Sequence, residues 1–427
     1  MPDERLKLPQ SPKEDKQIRI PIESTLIPIF YQNFHCLAQD CKDSCCVNWN
    51  ITFNKKDYLR LRRLDAPEGL KARLEDGVRR ERKSNHDGVF YGKFDLDSNS
   101  GRCPFLDPDG LCSIQRACGH EALPFVCTNY PRNISYTFAA KEYSLSPSCE
   151  GVLQQLWDLP EGIEFVENPL PDAEHRWAHV KPGETLEGCF APIRELCVDI
   201  LQNRGISLSQ RMLCLGLVLQ QLQKEDWAVF EPDGWVERMS ALIGTDEFIA
   251  LNGKIAGNRD MFLTQNIKVL YAIASSEKGW PEEIFHALGV KQEVKVNVQE
   301  GSGKLSVEYS KSVYEQALKR FQTAFTGHEY FFENLMVASA LYLNFPQLSS
   351  KETLWKSYVA LCSLYSFYRF VSVLGCAEGP TKERLFHIIV MASRAILHNR
   401  YRFNGFQEDL FQHGSSTLAH MAILLNG

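Results

Sequence analysis

The sequence predicts a mainly α protein in two unlike parts. The first is a cysteine-rich N-terminal region of irregular and short α-helical structure, and the second is an all-α C-terminal domain. Three observations predict this. Nine of the 14 cysteines fall between Cys36 and Cys149. The same stretch is punctuated by turn signals, Asp87-Gly88, Ser100-Gly101 and Pro108-Asp109-Gly110, with few long periodic runs. Later in the chain, apolar residues recur at helical spacing.

Taken in order, Met1 to Lys16 is polar and rich in Pro, Asp, Glu and Lys. It carries no apolar core and no small-residue cleavage site, so no signal peptide is expected, and the expected location is the cytoplasm. The expected divisions are a tail over 1–30, a cysteine-rich domain over 31–165 and a helical domain over 186–427. Between the last two, Glu167 to Glu184 is rich in Pro, charge and His and is predicted to be a linker or surface loop. Ile193, Leu196, Cys197, Ile200 and Leu201 then repeat with helical period, as do Met212, Leu213, Leu215 and Leu219, with Ser207 or Ser209 as the expected cap. Further helices are predicted over Phe262–Ala274, Lys311–Phe325, His328–Leu343, Lys351–Leu374 and Lys382–His398. Only Val294 to Val307 suggests strands, with Gly301-Ser302-Gly303 as a hairpin turn. No repeat of 20–50 residues is visible.

At 427 residues the chain is long enough for one large domain or two ordinary ones. Its 44% apolar and 23% charged residues are those of a soluble globular protein. A formal charge of -6 argues against a general nucleic-acid binder. The longest apolar stretch, Leu354 to Leu374, contains both Lys356 and Arg369, so a buried helix is expected there and no membrane partner. Nothing in the sequence sets an oligomeric state.

The cysteines carry the chemistry. Cys36, Cys41, Cys45 and Cys46 come first. Cys103 follows in Cys-Pro-Phe-Leu, Cys112 in Gly-Leu-Cys-Ser-Ile, then Cys118, Cys127 and Cys149. In a reducing compartment such clustering suggests metal or redox chemistry before disulfides. Closely spaced thiols let one loop aim several ligands at a single centre, and distant segments then close it. Zinc needs four such ligands, and a [4Fe–4S] cluster usually takes four thiolates. Vicinal Cys45 and Cys46 fit poorly on one small ion, so one of them is free for a second centre, a redox step or packing. Cys189, Cys197, Cys214, Cys362 and Cys376 lie on apolar helical faces and read as packing residues. The set has no Cys-x2-Cys knuckle, so spacing alone decides neither the metal nor the reaction.

The run from Cys36 to Cys46 followed by Trp49, with Cys103-Pro-Phe-Leu and Gly110-Leu-Cys112-x-Ile, resembles the CxxCxxCC-type proteins. Cys118-Gly-His-Glu121 leading to Cys127-Thr-Asn-Tyr-Pro-Arg132, and Leu145 to Glu150, resemble their flagellin lysine-N-methylase branch. Glu333 to Val337, Phe345-Pro346, Ser393-Arg394 and His398-Asn399 are similar to that branch as well. The resemblance implies a protein-lysine N-methyltransferase acting on flagellin, with S-adenosylmethionine as methyl donor and an iron–sulfur cluster, zinc being the alternative. It carries over Cys36, Cys41, Cys45, Cys46, Cys103, Cys112, Cys127 and Cys149 as candidate ligands. Cys118 stands where an apolar residue is expected, Glu150-Gly151 replaces the usual Pro-Glu, and Leu397 replaces an acidic residue.

Such an enzyme must hold its lysine neutral, against a reference pKa of ~10.4, and place the sulfonium in line at about 3–3.5 Å. No strand-Gly-x-Gly-x-x-Gly-helix unit is present, so the donor is expected to dock by other means, next to the metal centre. Tyr130 is the candidate to orient the amine and Arg132 to meet a carboxylate. Their alternative roles are a packed ring and a structural ion pair. His35, His120, His387 and His398 are read as structural or solvated. Two non-enzymatic readings stand beside this one: a zinc- or cluster-stabilised protein-binding module, and a metal-handling or redox protein using the vicinal pair.

Overall fold

The computed structural model describes residues 18–21, 24–81, 90–136, 141–169, 177–180, 185–243, 245, 257–275, 279–289, 309–398, 405, 407–408 and 410–427. The expected hairpin over Val294 to Val307 lies outside the described residues.

The first part contains more sheet than its sequence predicts. Strands β1 (Ile18–Pro21) and β2 (Ser24–Pro28) lead into the short helix α1 (Ile29–Gln32). Next come β3 (Thr52–Phe53), α2 (Lys55–Arg62), α3 (Glu68–Gly77), β4 (Val78–Arg80) and β5 (Gly92–Phe94), with the three strands forming one small antiparallel sheet. Asn54 starts α2 by accepting a hydrogen bond from the Asp57 amide. Helices α4 (Ser113–Cys118) and α5 (Phe125–Asn129) precede the hairpin of β6 (Arg132–Tyr136) and β7 (Lys141–Leu145), and α6 (Glu150–Trp157) follows.

Strands β8 (Phe165–Pro169) and β9 (Trp177–Val180) pair antiparallel with β2 and β1. Residues 18–28, read as tail, and part of the stretch read as linker therefore form two ladders together. A two-stranded ladder between segments about 140 to 160 positions apart leaves little local trace.

The second part is helical, as predicted. It comprises α7 (Phe190–Gln202), α8 (Leu208–Lys224), α9 (Pro232–Ile243), α10 (Arg259–Ala274), α11 (Trp280–Ala287), α12 (Lys311–Ala324), α13 (Tyr330–Tyr342), α14 (Lys351–Gly375), α15 (Lys382–Leu397) and α16 (Leu418–Leu425). Of the two expected caps for α8, Ser207 is used, in a reciprocal box with Gln210. Helix α14 is the axis, packing against α8, α10, α11, α12, α15 and α16. By length and composition it could cross a membrane, yet 89% of its most apolar window is buried inside the protein. The predicted buried helix is thus found. Cys197, Cys214, Cys362 and Cys376 are buried in this part and Cys189 is half-buried, in line with packing roles.

Two apolar cores result. The larger runs through the helical part and takes in Phe30, Phe34, Leu145, Val152 and Leu156 from the first part. The smaller gathers Ile51, Phe53, Leu61, Leu74, Phe94, Phe105, Ile114 and Leu123. Cys103 belongs to the smaller core, and Cys46, Cys112 and Cys127 pack against it, whereas Cys149 packs against the larger. The cysteine region lies where the two cores meet.

Candidate functional site

Seven of the eight candidate cysteines line one cavity of about 450 Å³: Cys36, Cys41, Cys45, Cys46, Cys103, Cys112 and Cys127. Tyr130 and Arg132 line it too. Backbone pairing assembles it from distant segments. Val47 bridges to Arg102, the Cys103 amide donates to the Cys46 carbonyl at 2.7 Å, and Leu106 bridges to Cys112. Cys149, the eighth, sits at the N-terminal end of α6, close enough to Cys36, Cys41 and Cys45 for its charge to act on them. Cys118 is outside the cavity, its thiol donating to the Asp65 carbonyl at 3.7 Å.

The loop carrying Cys41 is tied down by the neighbour of Cys149. Glu150 Oε2 accepts from the Lys42 amide at 2.6 Å, the Asp43 amide at 2.9 Å and the Cys41 thiol at 3.5 Å. Here Glu150, where the family places proline, is a structural clamp. The expected pattern singled out the substitution without supplying this role.

Burial sets the protonation of most of these thiols. Desolvation pushes Cys103 up to about 12 and Cys149 to about 11, and raises Cys41, Cys112 and Cys127 as well. Cys46 is the exception. A hydrogen bond from the Cys45 thiol, helped by Ser44 and the charges of Arg394 and Arg102, brings it down to about 7 despite burial, while Cys45 is pushed up. Near pH 7 the Cys46 thiol is therefore about half ionised, which makes it more nucleophilic than its raised neighbours. Iodoacetamide should accordingly label Cys46 ahead of Cys103, Cys112, Cys127 and Cys149, half-maximally near pH 7, as read by peptide mass spectrometry. A shared midpoint of 9 or above for all five would contradict it.

Tyr130 is half-buried, and its hydroxyl pairs with the Ser148 carbonyl at 2.8 Å and the Ser148 hydroxyl at 3.0 Å. Burial, then the nearby Cys149, raises its pKa well above the usual value, so it is a neutral phenol. Arg132 donates to the Phe34 carbonyl at 2.9 Å and lies over the Phe34 and Tyr31 rings. Each thus faces the cavity with part of its polar capacity already used.

The helical part closes the site from the other side, which sequence reasoning did not foresee. From α15, His387 Nδ1 meets Asp43 Oδ1 at 2.7 Å and Arg394 donates to the Asp43 carbonyl at 2.6 Å. The buried Nε of Arg394 has no hydrogen-bond partner among the described residues, although its charge reaches Cys46 and Cys149. His398, at the end of α15, bonds Ser148 Oγ at 2.8 Å through Nε2. Burial first, then Arg394, lowers its pKa to about 4, so it is neutral at pH 7. Its ring lies 4.8 Å from Trp49, which in turn lies 4.5 Å from Tyr130. The similarity of Ser393-Arg394 and His398 to a known family was the only signal in the sequence.

No group of three or more His, Cys, Asp or Glu side chains among the described residues is gathered tightly enough to hold a metal ion. The thiols share a cavity without converging on one point. A larger cavity, of about 990 Å³, lies among the helices and is lined in part by Arg204, Arg211, Glu333, Tyr365 and Arg369. We give the smaller cavity precedence because the charges in the larger one chiefly satisfy each other, Glu333 bonding Arg204 at 2.9 Å and Arg211 at 2.6 Å.

The helical part identifies the class: the FliB lysine N-methylase C-terminal domain matches residues 194–424, more than half of the chain, and the protein belongs to that family. Among curated proteins, the chain is 25% identical over 201 residues to a lysine-N-methylase of Salmonella choleraesuis and 29% identical over the same length to one of Salmonella typhimurium. Each of those matches covers 46% of this chain and 47% of the relative, so the similarity spans about half the length of either. The flagellar biosynthetic protein FliU of Salmonella muenchen is 32% identical over 144 residues, 33% of this chain and 80% of that protein. No solved structure matches.

Proposed function

We propose that this protein is a lysine N-methyltransferase of the cytoplasm that transfers a methyl group from S-adenosylmethionine to flagellin lysines before export. We further propose that its cysteine cavity holds an iron–sulfur cluster. Family membership supports the reaction class, and the printed names of the Salmonella relatives support a flagellar substrate. The single observation that carries the site is that seven cysteines from distant segments, all but Cys36 buried or half-buried, line one cavity.

The donor set fits soft-metal chemistry, because thiolates select zinc and iron–sulfur clusters over hard cations. A lone zinc would need four ligands within one tetrahedron. A [4Fe–4S] cluster usually takes four thiolates, and the 450 Å³ space leaves room for such a polynuclear group. Cys36, Cys41, Cys45, Cys46, Cys103, Cys112, Cys127 and Cys149 are the residues that would hold it. When bound, such a cluster supplies electron transfer or an open coordination position. The chain's own residues contribute the rest. Apolar walls such as Phe34, Ile51 and Phe105 exclude water, which favours the neutral amine. Arg394 supplies positive charge beside the thiolates, and Arg132 offers its remaining N–H groups to a carboxylate. The amine lone pair then takes the sulfonium methyl, the C–S bond breaks, S-adenosylhomocysteine leaves and the nitrogen gives one proton to water.

The deciding experiment is mass spectrometry of flagellin co-expressed with this protein, with lysine gains of one methyl expected. Unmodified flagellin, with cluster and donor both present, would overturn the enzyme in favour of a metal-stabilised binding module, a reading that the occupied Tyr130 hydroxyl also suits. Donor binding that survives removal of the metal would separate the donor from the cysteine cavity and direct the search to the 990 Å³ cavity.

A further inference from the structure

Beside the cysteine cavity, a second depression of about 700 Å³ opens outward, lined in part by Trp49, Lys55, Lys56, Phe90, Phe125 and His398. Two of its rim residues are conspicuous on physical grounds. Phe90 is 57% exposed and Phe125 69% exposed, which is costly for aromatic side chains with nothing covering them. Phe125 is held in that position: its backbone amide donates to Asp57 Oδ2 at 3.0 Å, and the other oxygen of buried Asp57 pairs with Arg60. The exposure is therefore built into the start of α5 and is not a loose loop.

Trp49 and Val126 line both this groove and the cysteine cavity. The indole of Trp49 meets Tyr130 edge-on and His398 at a tilt, with ring centres 4.5 and 4.8 Å away, and those two rings lie 6.2 Å from each other. The groove thus continues toward the cysteines through an aromatic wall contributed by both parts of the chain. Such a wall suits one kind of side chain above others, a long alkyl stem ending in an amine or ammonium, which packs along the rings and is attracted to their faces. Charge narrows the choice further. Lys55 and Lys56 are exposed, while the Asp57 carboxylate is already engaged. The rim is net positive and favours acidic residues around the incoming lysine.

We infer that this groove is the docking surface for the protein substrate. Phe90 and Phe125 grip an apolar residue near the target lysine, Lys55 and Lys56 select acidic neighbours, and Trp49 with His398 guides the lysine stem toward the cysteine cavity. The inference rests on the methyltransferase reading and adds to it the site and the sequence preference of the substrate.

The test uses the full chain with its metal loaded. In the double variant Phe90→Ala/Phe125→Ala, the KM for flagellin should rise by at least about tenfold, as for loss of a central aromatic anchor. The turnover number, metal content and melting temperature should stay near wild type, since both rings are exposed. An unchanged KM in a variant that methylates would overturn the docking site and leave the enzyme reading intact. A second arm places the photo-crosslinking residue p-benzoylphenylalanine at position 125 and irradiates the loaded protein with flagellin. Capture of flagellin through a segment containing lysine and acidic residues supports the inference even if no methyl transfer is seen, in which case only the enzyme reading fails. Capture solely of a second copy of this chain, or no capture of flagellin, overturns it.

Discussion

Glu333→Ala should destabilise the helical part by about 3–5 kcal/mol, because it strips a buried carboxylate from two arginines at once. Glu333 is 1% exposed, and its oxygens meet Arg211 at 2.6 Å and Arg204 at 2.9 Å. The larger share of the loss falls on Arg211, whose side chain is only 8% exposed and whose Nε is already without a partner among the described residues. Arg204 is 41% exposed, so solvent screens its pair and Arg204→Ala should cost about 1 kcal/mol or less. Urea unfolding followed by circular dichroism measures both. A Glu333→Ala loss under 1 kcal/mol would mean that Arg211 finds water or another acceptor when the carboxylate is gone. Because α13 carries Glu333 and packs against β7 and α6, the damage should reach the cysteine region and reduce uptake of the proposed cluster.

Glu150→Ala should act on the cysteine region directly. Removing the carboxylate leaves the Lys42 and Asp43 amides without their acceptor and frees the Cys41 thiol. Bonds from amides to a charged acceptor are among the stronger ones, so a loss of about 2–3 kcal/mol is expected, reduced where the freed amides reach water. Glu150→Gln keeps one carbonyl acceptor and should lose less. The functional readout is retention of the proposed cluster: after reconstitution with iron and sulfide, the alanine variant should lose iron to a chelator faster than wild type, with the glutamine variant between them. Equal release from all three would show that the loop holds its cysteines without the clamp.

The helical half was largely legible in the sequence because its signal is local. Helices α12, α13, α14 and α15 announce themselves by apolar period, and Ser207 by its spacing to Gln210. The ladders β1–β9 and β2–β8 were missed because each strand is four or five residues long and its partner is more than a hundred residues away. For the site, clustering was enough to select the cysteines, and the cavity gathers seven of them. It could not select Glu150, Asp43 or Arg394, because a carboxylate that clamps a loop looks like any surface glutamate until the loop is placed. Nor could it show that Tyr130 spends its hydroxyl on Ser148, 18 residues later.

What the sequence determined by itself was the mainly helical class, the packing role of the scattered cysteines and the crowding of the other nine into the first 150 residues. These follow from periodicity and composition, which are written residue by residue. Tertiary structure decided what surrounds those thiols. Two cores meet at the cavity, α15 brings Arg394, His387 and His398 to it, and the hydrogen bond between neighbouring Cys45 and Cys46 lowers the Cys46 thiol to about 7. The physical reason is that charge and desolvation depend on distance in space, and the groups that set them lie up to about 350 positions apart along the chain.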